Sequence, residues 1–207
     1  MIVNAAAIII GYLLGSIPSA YIITRAITGK DIRQLGSGSM GALNTFREVG
    51  RGAGIAVFFA DAGKGVAAVA IAKWALGVPD ELFLLLAALA AVVGHMWPVF
   101  LRFTGGRGMA TTFGVLAIFM PLHEYRLEFF IFLGVLLVSL IITHRNFALC
   151  MIIGLISVPI STWFLDNRWA LIAISIVLLL LAVIRVIPIA RAAWARSGNM
   201  KDFIRGR

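Results

Sequence analysis

The sequence predicts an all-α, polytopic integral membrane protein. Three observations carry that expectation. The mean hydropathy is +1.02, with 61% hydrophobic and 13% charged residues, a balance unlike that of a soluble domain. Apolar runs of membrane-spanning length recur along the 207 residues, and no internal repeat divides them. Polar, glycine-bearing stretches and short charged turns separate the runs. A chain of this length forms one membrane-embedded domain over residues 1–207.

The first run covers about residues 2–24. It carries Gly11, Gly15, Ser16, Pro18 and Ser19, which let helices approach closely or kink. It lacks a basic leader and a clear cleavage site, so it reads as a retained helix and not a removed signal. Arg25, Lys30 and Arg33 follow it. The second run, about residues 54–76, contains Asp61 and Lys64, three apart and so on one helical face. Ionisable groups inside a membrane helix face a protein interior or a wet cavity. These two read either as a mutually neutralising structural pair or as support for a site.

The third run, about residues 82–103, carries His95 near its end and Trp97 as an interfacial anchor. A single histidine on an apolar helix is more often a packing residue than a catalyst. A short fourth run spans about residues 109–120. The fifth follows the polar turn at His123–Glu128 and runs to about residue 143. The sixth follows His144-Arg145-Asn146 and ends near residue 165. The seventh covers about residues 169–189.

Seven spans place the two termini on opposite sides. With the C-terminus cytoplasmic, fourteen of the eighteen basic residues lie on that side. Only Lys73, Arg126 and Arg168 lie outside, and Lys64 is buried. The excess of Lys and Arg on cytoplasmic loops therefore places the N-terminus outside and the C-terminus in the cytoplasm. The net charge of +9 is explained by this bias. No basic run interleaved with aromatics indicates a nucleic-acid surface. Cys150 is the single cysteine, so no disulfide forms within the chain, and its apolar surroundings argue against a thiol nucleophile.

Two glycine-rich stretches fall on the cytoplasmic side of this topology. Residues 35–48 hold Gly36, Ser37, Gly38, Ser39, Gly41, Asn44, Thr45 and Arg47. Glycines allow a backbone to turn where a Cβ would clash, and so bring its amides close to a ligand. Hydroxyls and an amide add neutral hydrogen-bond groups, and Arg47 adds a forked cation. The second stretch holds Gly105, Gly106, Arg107, Gly108 and Thr111 at the start of the fourth run. Amides, a positive helix end and a cation together suit a phosphate. A flexible, solvated loop is the plainer reading of either stretch alone. Neither is a Walker sequence. No helical His-x-x-x-His pair or carboxylate cluster resembles a metal site, so no metal and no cofactor is expected.

These residues resemble a known family. Gly11-Tyr12-Leu13-Leu14-Gly15-Ser16-Ile17-Pro18, then Gly36-Ser37-Gly38, Gly41-Ala42, Asn44 and Arg47, resemble the first signature of the bacterial acyl-phosphate:glycerol-3-phosphate acyltransferases of the PlsY type. Phe58-Phe59, Asp61 and Lys64-Gly65 resemble the second-helix pattern. Gly94-His95, Pro98-Val99-Phe100, Gly105-Gly106-Arg107-Gly108 and Ala110-Thr111 resemble the central signature. The matches keep order and spacing over residues 11–114, roughly half the chain.

The resemblance implies a seven-span enzyme of the bacterial plasma membrane with a cytoplasmic active site. It implies transfer of an acyl group from acyl phosphate to the 1-hydroxyl of glycerol 3-phosphate, in phospholipid synthesis. The products are lysophosphatidic acid and inorganic phosphate. The partners are those two substrates and the bilayer. The resemblance implies that Ser37 and Arg47 belong to the reactive site, and with Arg107, the cation of the second stretch, they are the candidate catalytic residues. Gly36, Gly38, Gly41, Asn44, Gly105, Gly106, Gly108 and Thr111 are the implied phosphate-binding set. Asp61, Lys64 and His95 are candidates for support of the site, beside their structural readings above. Acyl phosphate is already activated, so positioning and charge stabilisation can carry the reaction without an acyl-enzyme.

The chain departs from the family pattern in three places. Arg107 stands where the family usually has lysine, and the two cations differ in geometry and reach. Ser39 and Leu43 replace an asparagine and a threonine of the first signature. At the end of the seventh run the family's His-Arg-x-Asn reads Ile184-Arg185-Val186-Ile187-Pro188-Ile189 here, without His or Asn. His144-Arg145-Asn146 comes one helix pair too early to replace it. The departure leaves open a non-catalytic relative that binds phosphorylated lipid precursors or regulates a partner acyltransferase. A transporter of phosphorylated solutes fits less well, since no repeated halves are present.

Overall fold

The computed structural model describes residues 1–142, 147–165 and 168–197. The described residues are helical throughout, joined by turns. The helices are α1 (Ile2–Ser16), α2 (Ser19–Thr28), α3 (Ala42–Glu48), α4 (Arg51–Ala70), α5 (Glu81–Met96), α6 (Met109–Leu122), α7 (Arg126–Ile142), α8 (Phe147–Leu165) and α9 (Trp169–Ser197). Among the described residues, four stretches are long and apolar enough to cross a membrane: Ile2–Thr28, Arg51–Ala75, Glu81–Leu101 and Trp169–Pro188. Met109–Leu122 and Leu149–Leu165 are apolar but shorter. Fourteen residues of α6 rise only about 21 Å, against a hydrocarbon core of about 30 Å.

The first stretch breaks where its kinking residues lie, between α1 and α2, where Ile17 is extended. Pro18 has no amide hydrogen and disfavours a helical residue before it. The Ile17 carbonyl then leaves the helical ladder and faces the protein interior. A difference from the sequence expectation lies in residues 35–48, whose latter half is the short helix α3.

The chain forms two compact units, Met1–Phe119 and Met120–Arg207. In the first unit α1 and α5 pack through small residues. A Cβ on Gly11 or Gly15 would overlap the Ala87 or Ala91 carbonyl, and one on Gly94 would overlap the Tyr12 carbonyl. This close approach replaces bulky interdigitation with backbone contact. α4 crosses α6 in the same manner, Gly65 against the Thr111 carbonyl and Gly114 against the Ala62 carbonyl. Asp80 caps α5 by accepting from the Leu82 amide at 2.8 Å. In the second unit α7 packs on α8 and α8 on α9. Gly154 admits the Phe132 ring, and the Arg168 guanidinium lies over the Tyr125 ring at 5.1 Å.

Candidate active site

Every residue singled out from the sequence as a site candidate lies in the first unit. The first glycine stretch is a wrapped turn and not a loose loop. Gly36 and Gly38 adopt left-handed backbone, with φ of +52° and +68°. A Cβ on Gly36 would overlap the Glu48 carboxylate and lie 2.7 Å from Asn44 Oδ1. The turn is tied to α3 by Asn44, which is buried. Asn44 Oδ1 accepts from the Ser37 amide and from the Ser37 hydroxyl, both at 3.1 Å. Asn44 Nδ2 donates to the Leu35 carbonyl at 3.0 Å. The Ser37 hydroxyl is exposed and spends its one hydrogen on Asn44. In this arrangement its lone pairs remain to accept, and donating to a phosphate requires the hydroxyl to turn.

Gly41 differs from the expectation. It caps α3 in extended backbone, φ −144°, and a Cβ there meets only the Ser39 hydroxyl oxygen at 3.9 Å. Nothing in the fold demands a glycine at this position. Arg47 is exposed on α3 and makes no ion pair among the described residues. The turn ahead of this stretch is held by Asp31, which caps a helical turn over Ile32–Gln34. Arg33 donates to the Asp31 carboxylate at 2.6 Å, and its guanidinium lies 5.7 Å from the Tyr21 ring centre. Those hydrogen bonds hold the Asp31 carboxyl below, and the Arg33 guanidinium above, their ordinary values. The Arg33 carbonyl in turn sits beneath Gly38, 3.0 Å from where its Cβ would be.

The second stretch folds back on the end of α5. The Gly106 amide donates to the His95 carbonyl at 3.0 Å. A Cβ on Gly105 would overlap the His95 carbonyl and the Pro98 ring. Gly108 is left-handed, φ +80°, beside Met96. Arg107 is half-buried. Thr111 is fully buried in the first turn of α6, and its hydroxyl finds no hydrogen-bond partner among the described residues. Arg102 and Phe103 also take left-handed backbone, φ 51° and 60°. The sequence carried no signal for that, because neither is a residue that favours it.

The two stretches meet at Gly106. A Cβ there would overlap His95 Nε2 and lie 2.7 Å from the Met40 carbonyl oxygen. Beneath this junction lies a charged group. Lys64 Nζ is 2.9 Å from Asp61 Oδ1, with side chains only 6% and 3% exposed. Lys64 also donates to the Ile17 carbonyl at 2.9 Å, the group released by the Pro18 break. His95 Nδ1 approaches Asp61 Oδ1 at 3.4 Å. Gly15, Ser19, Ala20 and Pro98 complete the lining of the small cavity around these groups.

Comparison with known proteins shows the family of this chain. The family profile described as glycerol-3-phosphate acyltransferase matches residues 5–203. The chain belongs to the glycerol-3-phosphate acyltransferase family. It is 42% identical over 198 residues to glycerol-3-phosphate acyltransferase 1 of Dehalococcoides mccartyi, covering 96% of this chain and 94% of that protein. It is 39% identical over 206 residues to the glycerol-3-phosphate acyltransferase of Thermosynechococcus vestitus, covering 96% and 90%. Its fold is similar to crystal structures of PlsY, described as an integral membrane glycerol 3-phosphate acyltransferase. The glycerol 3-phosphate form matches with a TM-score of 0.76 at 32% identity, covering 94% of this chain and 92% of that one. The lysophosphatidic acid form matches with a TM-score of 0.74 at 30% identity.

The acyltransferase relationship therefore extends well beyond the half of the chain that carried the sequence resemblance. The C-terminal departure stands inside the matched region. Val186 lies on α9 and is buried. His144-Arg145-Asn146 lies outside the described residues.

Proposed function

We propose that this glycerol-3-phosphate acyltransferase takes its acyl group from acyl phosphate and delivers it to the 1-hydroxyl of glycerol 3-phosphate. The bond from the acyl carbon to the phosphate oxygen breaks, and one to the glycerol oxygen forms. The hydroxyl proton leaves to phosphate or solvent. The products are lysophosphatidic acid and inorganic phosphate. One observation supports this most: the two glycine-rich stretches meet, Gly106 against Met40, and each brings an arginine. Two phosphorylated substrates held side by side need two such stretches.

In this reading Gly36, Gly38 and Asn44 shape one phosphate-binding turn, with Ser37 and Arg47 at its exposed edge. Gly41 and Thr111 belong to the binding set. Gly105, Gly106 and Gly108 shape the other turn, and Arg107 supplies its charge. Arginine neutralises phosphate through paired donors, and fixed donors stabilise charge without reorganisation. The protein spans the bacterial plasma membrane seven times as one domain. Its N-terminus is outside, and its site faces the cytoplasm, as the fourteen basic residues on that side favour.

A second reading is favoured by one specific observation. The family's C-terminal His and Asn are absent, and Val186 is apolar and buried in that region. A relative without those groups binds phosphorylated lipid precursors, or regulates a partner acyltransferase, without transferring an acyl group. The purified protein given palmitoyl phosphate and glycerol 3-phosphate separates the two readings. Lysophosphatidic acid identified by mass, with one phosphate released per product, supports the enzyme. Palmitoyl-CoA in place of the phosphate should give none. Binding of glycerol 3-phosphate without product supports the second reading.

A further inference from the structure

We propose that His95 is a positioning residue that sets the spacing between the two phosphate-binding stretches. This rests on the acyltransferase reading above and assigns a role to a side chain that lies outside both glycine-rich stretches.

The imidazole reaches groups at both of its edges. Its Nδ1 edge faces the Asp61 carboxylate on α4, at 3.4 Å. Its Nε2 edge stands where a Cβ of Gly106 would be. The same point is 2.7 Å from the Met40 carbonyl oxygen, which belongs to the first stretch. One ring therefore spans from a buried anion to the place where both stretches touch. The backbone of His95 contributes separately, because its carbonyl accepts the Gly106 amide at 3.0 Å. Only a residue without a Cβ fits between this ring and Met40, so the glycine at position 106 and the histidine at position 95 are one fitted pair.

The far end of the ring is anchored with equal care. Asp61 is held by Lys64, and Lys64 by the Ile17 carbonyl. Ile17 immediately precedes Pro18, whose ring breaks the first helix. α1, α4 and α5 are thus connected at one depth beneath the junction. A carboxylate with two fixed donors cannot drift, and the imidazole plane is oriented by it, as a carboxylate orients a histidine in many sites. This arrangement fixes how far apart two phosphates are held.

That role has a kinetic signature. Misplacing a bound reactant by about 1 Å can lower the chemical rate by roughly a hundredfold while each reactant still binds. Shortening His95 should therefore lower kcat and leave the KM for each substrate nearly unchanged. A packing role would change folded yield and leave kcat per folded molecule intact.

The test compares His95→Gln and His95→Asn with wild type, using palmitoyl phosphate and glycerol 3-phosphate. Gln places an amide near the position of Nε2, whereas Asn reaches only to the position of Nδ1. We expect Asn to lose roughly ten- to a hundredfold in kcat. Gln should retain most of the rate, and neither should shift KM more than about twofold. Gly106→Ala should also lower kcat, because its methyl meets the His95 ring and Met40, and any change in its KM reflects its own place in the phosphate-binding turn. Equal kcat for both His95 variants and wild type would overturn the proposal. So would a loss seen only in KM. Should Asn give no folded protein, the Gln and Gly106→Ala variants carry the comparison. Absence of any product from wild type is a different failure, that of the acyltransferase reading itself.

Discussion

Lys64 places its ammonium between the Asp61 carboxylate and the Ile17 carbonyl, 2.9 Å from each. The pair was foreseeable from its i, i+3 spacing, and the carbonyl was not. Breaking a buried pair by removing one partner typically costs about 3–5 kcal/mol, because a charge is left unpaired. Asp61→Ala and Lys64→Ala should each lower thermal stability in detergent steeply. The double variant should lose less than the sum of the singles. Strictly additive losses would show that the two charges do not depend on each other.

Asn44 makes three hydrogen bonds that hold residues 35–37 against α3. Asn44→Ala leaves the Ser37 amide and the Leu35 carbonyl without that partner. An unmade buried hydrogen bond costs about 1–3 kcal/mol. The turn should loosen while the helices remain folded. Affinity for glycerol 3-phosphate, measured by calorimetry, should fall roughly tenfold. Unchanged affinity would remove this turn from the binding site.

The Asp31–Arg33 pair gives a pH dependence. Arg33 holds the Asp31 carboxyl below its ordinary value of 3.8, so its contribution to stability is present above that value. It is lost as pH falls through the lower, folded value. Asp31→Asn should therefore be slightly less stable than wild type at pH 7. The difference should vanish in strong acid. A difference that persists there would mean the charge is not its source. The pair is partly exposed, so the effect is small.

Orientation in the membrane is tested by labelling. Ser39 lies in the first glycine stretch, on the side assigned to the cytoplasm. Since Cys150 is buried, Ser39→Cys supplies the accessible thiol. In intact cells an impermeant maleimide should not reach it, whereas in inverted vesicles it should. Labelling from outside intact cells would reverse the proposed topology.

Much of the site was legible because its residues are chemically out of place. Asp61 and Lys64 stand in an apolar helix, and glycine clusters interrupt a hydrocarbon sequence. Gly36, Gly38 and Gly108 do take the left-handed backbone that such clusters permit. What could not be read depends on contacts between distant segments. That the Pro18 break would offer its carbonyl to Lys64 requires knowing how α1 lies on α4. That His95 would face Gly106 requires the fold-back after α5. α3 was hidden because Gly41 and Asn44 read as turn residues, whereas here one precedes the helix and the other ties it down. Gly41 stands in the same cluster and in the same signature, yet its extended backbone and open surroundings show no need for glycine.

In the proposed reaction two cations, one on each stretch, hold the two phosphates during transfer. Arg47→Ala and Arg107→Ala test it most directly, measured as initial rates of acyl transfer at subsaturating substrate on purified, folded protein. A charge-assisted contact to phosphate is worth about 1.5–3 kcal/mol, so each variant should lose roughly ten- to a hundredfold. Arg107→Lys, which keeps the charge, should retain much of the rate. Arg205→Ala, outside both stretches, should behave as wild type. Full rates from both alanine variants would contradict the claim and move the site elsewhere.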